Sequence, residues 1–128
     1  MRGDADEKET NVHKQILLVD DDLSSRQLIA SVFEKSGYVV NQTDRGEEAF
    51  SMIENNNYGY ALVFIDLEIP DMSGFTLVKQ LKKFYMDIPF FVVSGFSDKM
   101  IIMEMLQRDC NNAFNRMIRD SRRSAWGW

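Results

Sequence analysis

Residues 15–22 read QILLVDDD: a short apolar run, Gln15–Val19, cut off by three aspartates. The pattern returns at 60–66, YALVFID, where Asp66 ends the run. It returns again at 88–95, IPFFVVSG, where Ser94 and Gly95 end it. Runs that are apolar at nearly every position suit strands buried on both faces, which is the condition of a parallel sheet. Tyr38–Thr43 (YVVNQT) reads as a further strand.

Between these runs the spacing changes to a helical one. Over Ser24–Ser36, Leu28, Ile29, Val32 and Phe33 share a face; Ser24 or Ser25 caps the start and Gly37 the end. Gly46–Glu54 turns Ala49, Phe50 and Ile53 inward, and Asn55–Asn57 with Gly59 mark a turn. Ser73–Tyr85 carries Phe75, Leu77, Val78 and Leu81 inside and Lys79, Lys82 and Lys83 outside. Ser97 caps a methionine-rich helix from Asp98 to about Arg108. Ala113–Asn115 is the candidate for a weak fifth strand, and the remainder for a last helix. Strands alternating with helices predict βαβ units with right-handed crossovers: a doubly wound α/β fold around a five-stranded parallel sheet.

Composition bounds the function. With 128 residues the chain is long enough for one packed domain. One cysteine, Cys110, excludes an internal disulfide framework and a cysteine-based zinc cluster; burial as a small apolar residue is its expected role. A single histidine, His13, excludes a His-rich metal site. No stretch approaches the apolar length of a membrane span, and residues 1–14 lack the apolar core of a secretory signal, so a soluble cytoplasmic protein is expected. Those 14 residues read as a disordered leader before a domain spanning 15–128. Residues 1–14 carry net −1 and residues 116–128 net +3, which leaves −7 for the body of a chain whose total is −5. An acidic body argues against nucleic acid as a direct ligand, and the C-terminal arginines read as a solvated face. Met100, Met103 and Met105 read as core filler in preference to a partner surface, and Trp126 and Trp128 as a tail.

In an open parallel sheet, ligands bind beyond the carboxyl ends of the strands. There the sequence places Asp20, Asp21 and Asp22, then Asp66, then Ser94, and Arg116 after the weak fifth strand. An isolated aspartate at a strand end is usually a cap or turn residue, and Asp22 fits that role. Several carboxylates brought together repel one another and call for a cation. Oxygen donors without a nearby Cys or His favour Mg²⁺, which retains waters and accepts phosphate oxygens. A carboxylate left free to attack would form an aspartyl phosphate, with a hydroxyl and a cation on the other phosphoryl oxygens.

From Gln15 to Met117 the chain resembles the receiver domain of two-component response regulators. The resemblance rests on LLVDDD (17–22), FIDLEIPDMSG (64–74) and VVSGFS (92–97), in the family's order and spacing. It implies the flavodoxin-like strand order 2-1-3-4-5. It also implies that Asp66 is the phospho-acceptor, Asp21 a direct Mg²⁺ ligand, and Asp20 an acid acting through metal-bound water. Glu68 would bind the metal through its backbone carbonyl, and Ser94 would be the switch hydroxyl. Pro70 and Gly74 would shape the cleft loop. The family's lysine–proline pair falls on Arg116-Met117, and its aromatic switch position on Ala113, beside Phe114. Arginine keeps the charge with a larger, planar head.

The function so implied is transfer of a phosphoryl group onto Asp66 from a histidine kinase or phosphotransfer protein, followed by a conformational switch. Catalysis would not extend beyond self-phosphorylation and self-dephosphorylation. The fourth-helix to fifth-helix face would serve a homodimer or an output partner. With no effector domain evident, the chain reads as a single-domain regulator or a piece of a larger regulator or hybrid kinase. The departures at Arg116, Met117 and Ala113 support a rival: a degenerate receiver acting through protein contacts without phosphorylation. A flavodoxin-type cofactor binder fits the fold, but acids stand where its phosphate loop belongs. Ile118–Arg123 (IRDSRR) lacks repeated apolar positions, so the last helix is expected to be short or atypical.

Overall fold

A computed structural model describes residues 14–56 and 59–123. Its elements are β1 (Gln15–Val19), α1 (Leu23–Lys35), β2 (Val39–Thr43), α2 (Gly46–Glu54), β3 (Leu62–Asp66), β4 (Glu68–Ile69), β5 (Met72–Ser73), α3 (Gly74–Lys82), β6 (Phe90–Val93), α4 (Gly95–Arg108) and α5 (Cys110–Arg123). Among the described residues the main sheet has the order β2-β1-β3-β6, with every pairing parallel. The doubly wound α/β fold expected from the sequence is therefore present.

The strands read as continuously apolar because alternate residues feed two cores. Ile16, Leu18, Leu62, Phe64 and Val93 pack with α1, α4 and α5. Leu17, Val19, Val63, Ile65, Phe90 and Val92 pack with α2 and α3 on the other face. The α1 stripe is Ile29, Ala30 and Phe33, while Leu28, expected inside, is exposed. Ser94, not Ser97, is the N-cap of α4, so that helix starts earlier than expected.

The fifth strand is absent among the described residues: Ala113–Asn115 lies within α5. Two physical causes act together. Cys110, Ala113, Phe114, Met117 and Ser121 are buried at helical spacing, so the apolar face the last helix needs begins eight residues before Ile118. The corner between α4 and α5 is the single residue Asp109, whose Oδ1 accepts the Asn112 N–H at 3.2 Å and caps α5. A one-residue corner leaves no chain to return alongside β6. The last helix is thus 14 residues long, not short, and β6 is an edge strand.

α5 lies at the amino ends of the strands. Asn111 Oδ1 accepts from Tyr38 Oη, just before β2, at 2.9 Å. At its other end, Ser121 and Arg122 line a cavity with Ile88, Pro89 and Phe90 at the start of β6. Lys14, assigned by sequence to the leader, joins the body: its carbonyl accepts the Val39 N–H, and its ammonium stands 5.5 Å from the Tyr38 ring centroid. The rest of the expected leader, residues 57–58 and the C-terminal tryptophans lie outside the described residues.

Candidate functional site

The strand ends converge as the sequence predicts. Asp20 follows β1 and Asp66 closes β3, and both are buried; Asp21 beside them is exposed. One carboxylate oxygen from each of Asp20, Asp21 and Asp66 falls within 4.8 Å of the others. Asp22 is the N-cap of α1, as its cap-or-turn reading requires. Its N–H donates to Asp20 Oδ1 at 2.9 Å. The Arg26 guanidinium donates to the Asp20 carbonyl at 2.7 Å and fixes that backbone.

The loop after Asp66 is built tightly. Glu68 donates its N–H to Asp66 Oδ1 at 3.1 Å. β4 and β5 pair antiparallel across Pro70 and Asp71, with Glu68 opposite Ser73. Ser73 Oγ accepts the Phe75 and Thr76 N–H groups and caps α3. Asp71 caps a different helix: its two oxygens accept the Gly46 and Glu47 N–H groups of α2 at 2.8 and 2.9 Å. Those bonds, the one from Gly46 foremost, hold its carboxyl below the ordinary range. Asp71 stands in the quoted motif, but its partner lies 25 residues upstream, so the sequence does not reveal this role.

Lys99, on α4, is the site residue that sequence reasoning missed. Its ammonium lies 2.7 Å from Asp66 Oδ2, and 3.1 and 2.9 Å from Asp20 Oδ1 and Oδ2. The side chain is only 10% exposed. Burial alone would lower its pKa, but the bonds to Asp66 and Asp20 outweigh burial and hold it above the ordinary value. Burial raises the Asp20 carboxyl, with Lys99 opposing. Asp20 Oδ2 is buried and accepts no hydrogen bond, despite its ion pair with Lys99. Three oxygen donors, one with unused acceptor capacity, fit a hard divalent cation.

The other expected site residues are differently placed. Ser94 stands at the end of β6, exposed, and donates its hydroxyl to Asp98 Oδ2 at 3.1 Å. The Glu68 side chain is exposed at the mouth. Arg116 does not reach the site. It is exposed on α5, in a groove with Met105, Arg108 and Asp109, toward the amino ends of the strands. The expectation that Arg116 follows a fifth strand fails because Ala113–Asn115 is helical.

Residues 16–122 match the family described as the response regulator receiver domain. The chain belongs to that family. Among its relatives is the cell cycle transcriptional regulator CtrA of Caulobacter vibrioides, 33% identical over 84 residues, covering 66% of this chain and 36% of CtrA. The two-component response regulator ARR10 of Arabidopsis thaliana is 30% identical over 93 residues, covering 73% of this chain and 17% of ARR10. This receiver thus spans only a minor part of the length of these relatives. A solved CheY-like receiver domain from Methylobacillus flagellatus is 36% identical, with a TM-score of 0.57 over 66% of this chain and 73% of that one. TrrA of Thermotoga maritima, solved in complex with Mg²⁺-BeF, is 31% identical, with a TM-score of 0.60 over 66% and 71% of the two chains. TrrA solved in complex with the histidine kinase ThkA is 30% identical, with a TM-score of 0.60 over 65% and 70%.

Proposed function

We propose that this receiver accepts a phosphoryl group on Asp66 from the phosphohistidine of a histidine kinase or phosphotransfer protein, as part of cytoplasmic two-component signalling. The observation that carries the reading is the Asp66 carboxylate itself. It is buried at a strand end between two further acids, and cations are what such a cluster requires. Asp20, Asp21 and Asp66 would hold Mg²⁺, with the Glu68 carbonyl beside them. When bound, the metal supplies charge neutralisation and a template for phosphoryl oxygens.

The chain's own groups do the rest. The Glu68 N–H fixes Asp66 Oδ1, which orients the carboxylate. An Asp66 oxygen bonds to phosphorus as the bond from phosphorus to the donor imidazole breaks, and the imidazole leaves with its electron pair. Ser94, turned from Asp98, would donate to a phosphoryl oxygen and carry the change into α4. The complex of the similar TrrA with a histidine kinase supports a kinase partner. Among the described residues no helix is long and apolar enough to cross a membrane.

The test is intact mass after incubation with a small phosphodonor and Mg²⁺. The wild-type chain gains the mass of one phosphoryl group and Asp66→Asn gains none. No gain in either, with fluoroberyllate failing to bind, refutes the reading. That outcome favours the rival, a receiver acting by protein contacts alone. The rival's specific support is the Lys99 ammonium already neutralising Asp20 and Asp66.

A further inference from the structure

Asp20 and Asp66 carry their counter-charge on a helix. The Lys99 ammonium lies within 2.7 to 3.1 Å of three oxygens of Asp20 and Asp66, two of the residues that would hold a divalent cation. A second cation on those oxygens is opposed by the ammonium, because two positive charges about 3–4 Å apart in a partly desolvated site repel strongly. Arg26 does not compete for the carboxylates: it donates to the Asp20 carbonyl and, through Nε, to Gln42 Oε1. Arg116 is at the other end of the domain.

The bonding is uneven in a way that favours exchange. Asp20 Oδ1 keeps the Asp22 N–H when Lys99 departs, and Oδ2 has no hydrogen bond to lose. Asp66 Oδ1 keeps the Glu68 N–H. The lysine stem is flexible, and its root is near the start of α4, where Gly95 has φ +84° and nothing within 4 Å of the place a Cβ would fill.

We propose that Lys99 is the exchangeable cation of this site. In the resting protein it holds the divalent cation's place; it yields Asp20 and Asp66 to the metal, and then pairs with the phosphoryl group on Asp66. The last step rests on the phospho-acceptor reading, and the first does not. The helix carrying Lys99 also bears exposed Phe96, Met100 and Ile101, so the exchange links the site to that surface.

The experiment compares wild type, Lys99→Met, Lys99→Gln and Arg116→Met by calorimetric Mg²⁺ titration, and by thermal stabilisation with Mg²⁺ and fluoroberyllate. Far-UV circular dichroism checks folding. Both Lys99 variants are expected to bind Mg²⁺ at least about tenfold more tightly, since a competing charge has gone. They are also expected to lose most of the additional stabilisation by fluoroberyllate, with Arg116→Met unchanged in both. If Lys99→Met folds only when Mg²⁺ is present, the metal has replaced the missing ammonium, which supports the exchange. Unchanged or weaker Mg²⁺ binding in the folded Lys99 variants overturns it. Loss of the fluoroberyllate effect in Arg116→Met alone overturns the phosphoryl pairing. If wild type binds no fluoroberyllate, the phospho-acceptor reading and the phosphoryl pairing fail together, while the Mg²⁺ titration still decides the exchange.

Discussion

Gly74 stands where no side chain fits. A Cβ there would meet the Asp66 carbonyl oxygen at 2.6 Å and the Leu67 Cα at 2.9 Å, both backbone atoms of the segment that carries the Asp66 carboxylate. Its own N–H donates to the Leu67 carbonyl at 2.7 Å, so the two segments are held in contact. Gly74→Ala is therefore expected to cost about 1–3 kcal/mol in urea unfolding, the range for overpacking a tight site. It should also slow phosphoryl uptake at Asp66, because the displaced backbone carries the carboxylate with it. Unchanged stability and uptake would show that the loop can open without cost. At this scale the sequence is informative wherever a residue's task is set by its neighbours in the chain. Asp20, Asp21 and Asp66 are legible because each follows or closes an apolar strand. Lys99 is illegible because its partners are 79 and 33 residues away, and on a helix it reads as one more solvated lysine.

At the scale of elements, the strand-helix alternation was legible up to α4 and misleading after it. The triplet Ala113–Asn115 is too short to show a period, and the resemblance to the family supplies a strand there. The wider window decides otherwise: burial at Cys110, Ala113, Phe114 and Met117 follows a helical spacing, and Asp109 caps the start. Asn115 offers a test free of packing losses, because it is exposed in the middle of α5. Asn115→Pro removes a helical hydrogen bond and is expected to cost about 3 kcal/mol, whereas Asn115→Ala should be neutral or slightly stabilising. On an edge strand, with its N–H facing solvent, proline would be tolerated. Chemical denaturation of the two variants against wild type distinguishes the helix from the strand.

Across the whole molecule, Asp20, Asp21 and Asp66 gather at the carboxyl ends of the strands, while α5 closes the amino ends. Tyr38 ties that lower end together. Its ring packs against Phe33 at the end of α1 and Phe114 on α5, and its hydroxyl donates to Asn111. Burial, with a smaller contribution from Cys110, pushes the Tyr38 phenol up from 10.0 to about 12. The fold thus favours the neutral phenol over the phenolate. The stability this contributes is complete below pH 10 and is lost as pH rises from 10 to about 12, up to about 2–3 kcal/mol in all. Lys99 adds alkaline loss of its own, since its pKa is held above the ordinary value by partners that only the ammonium satisfies. Tyr38→Phe separates the two sources. At pH 8 the variant should be about 1 kcal/mol less stable than wild type, from the lost hydrogen bond to Asn111. Between pH 10 and 11.5 its stability should fall less steeply, so the two urea-unfolding curves of stability against pH converge. Parallel curves would assign the alkaline loss to Lys99, and would show that the phenol ionises in the folded chain without cost to the packing beneath the sheet.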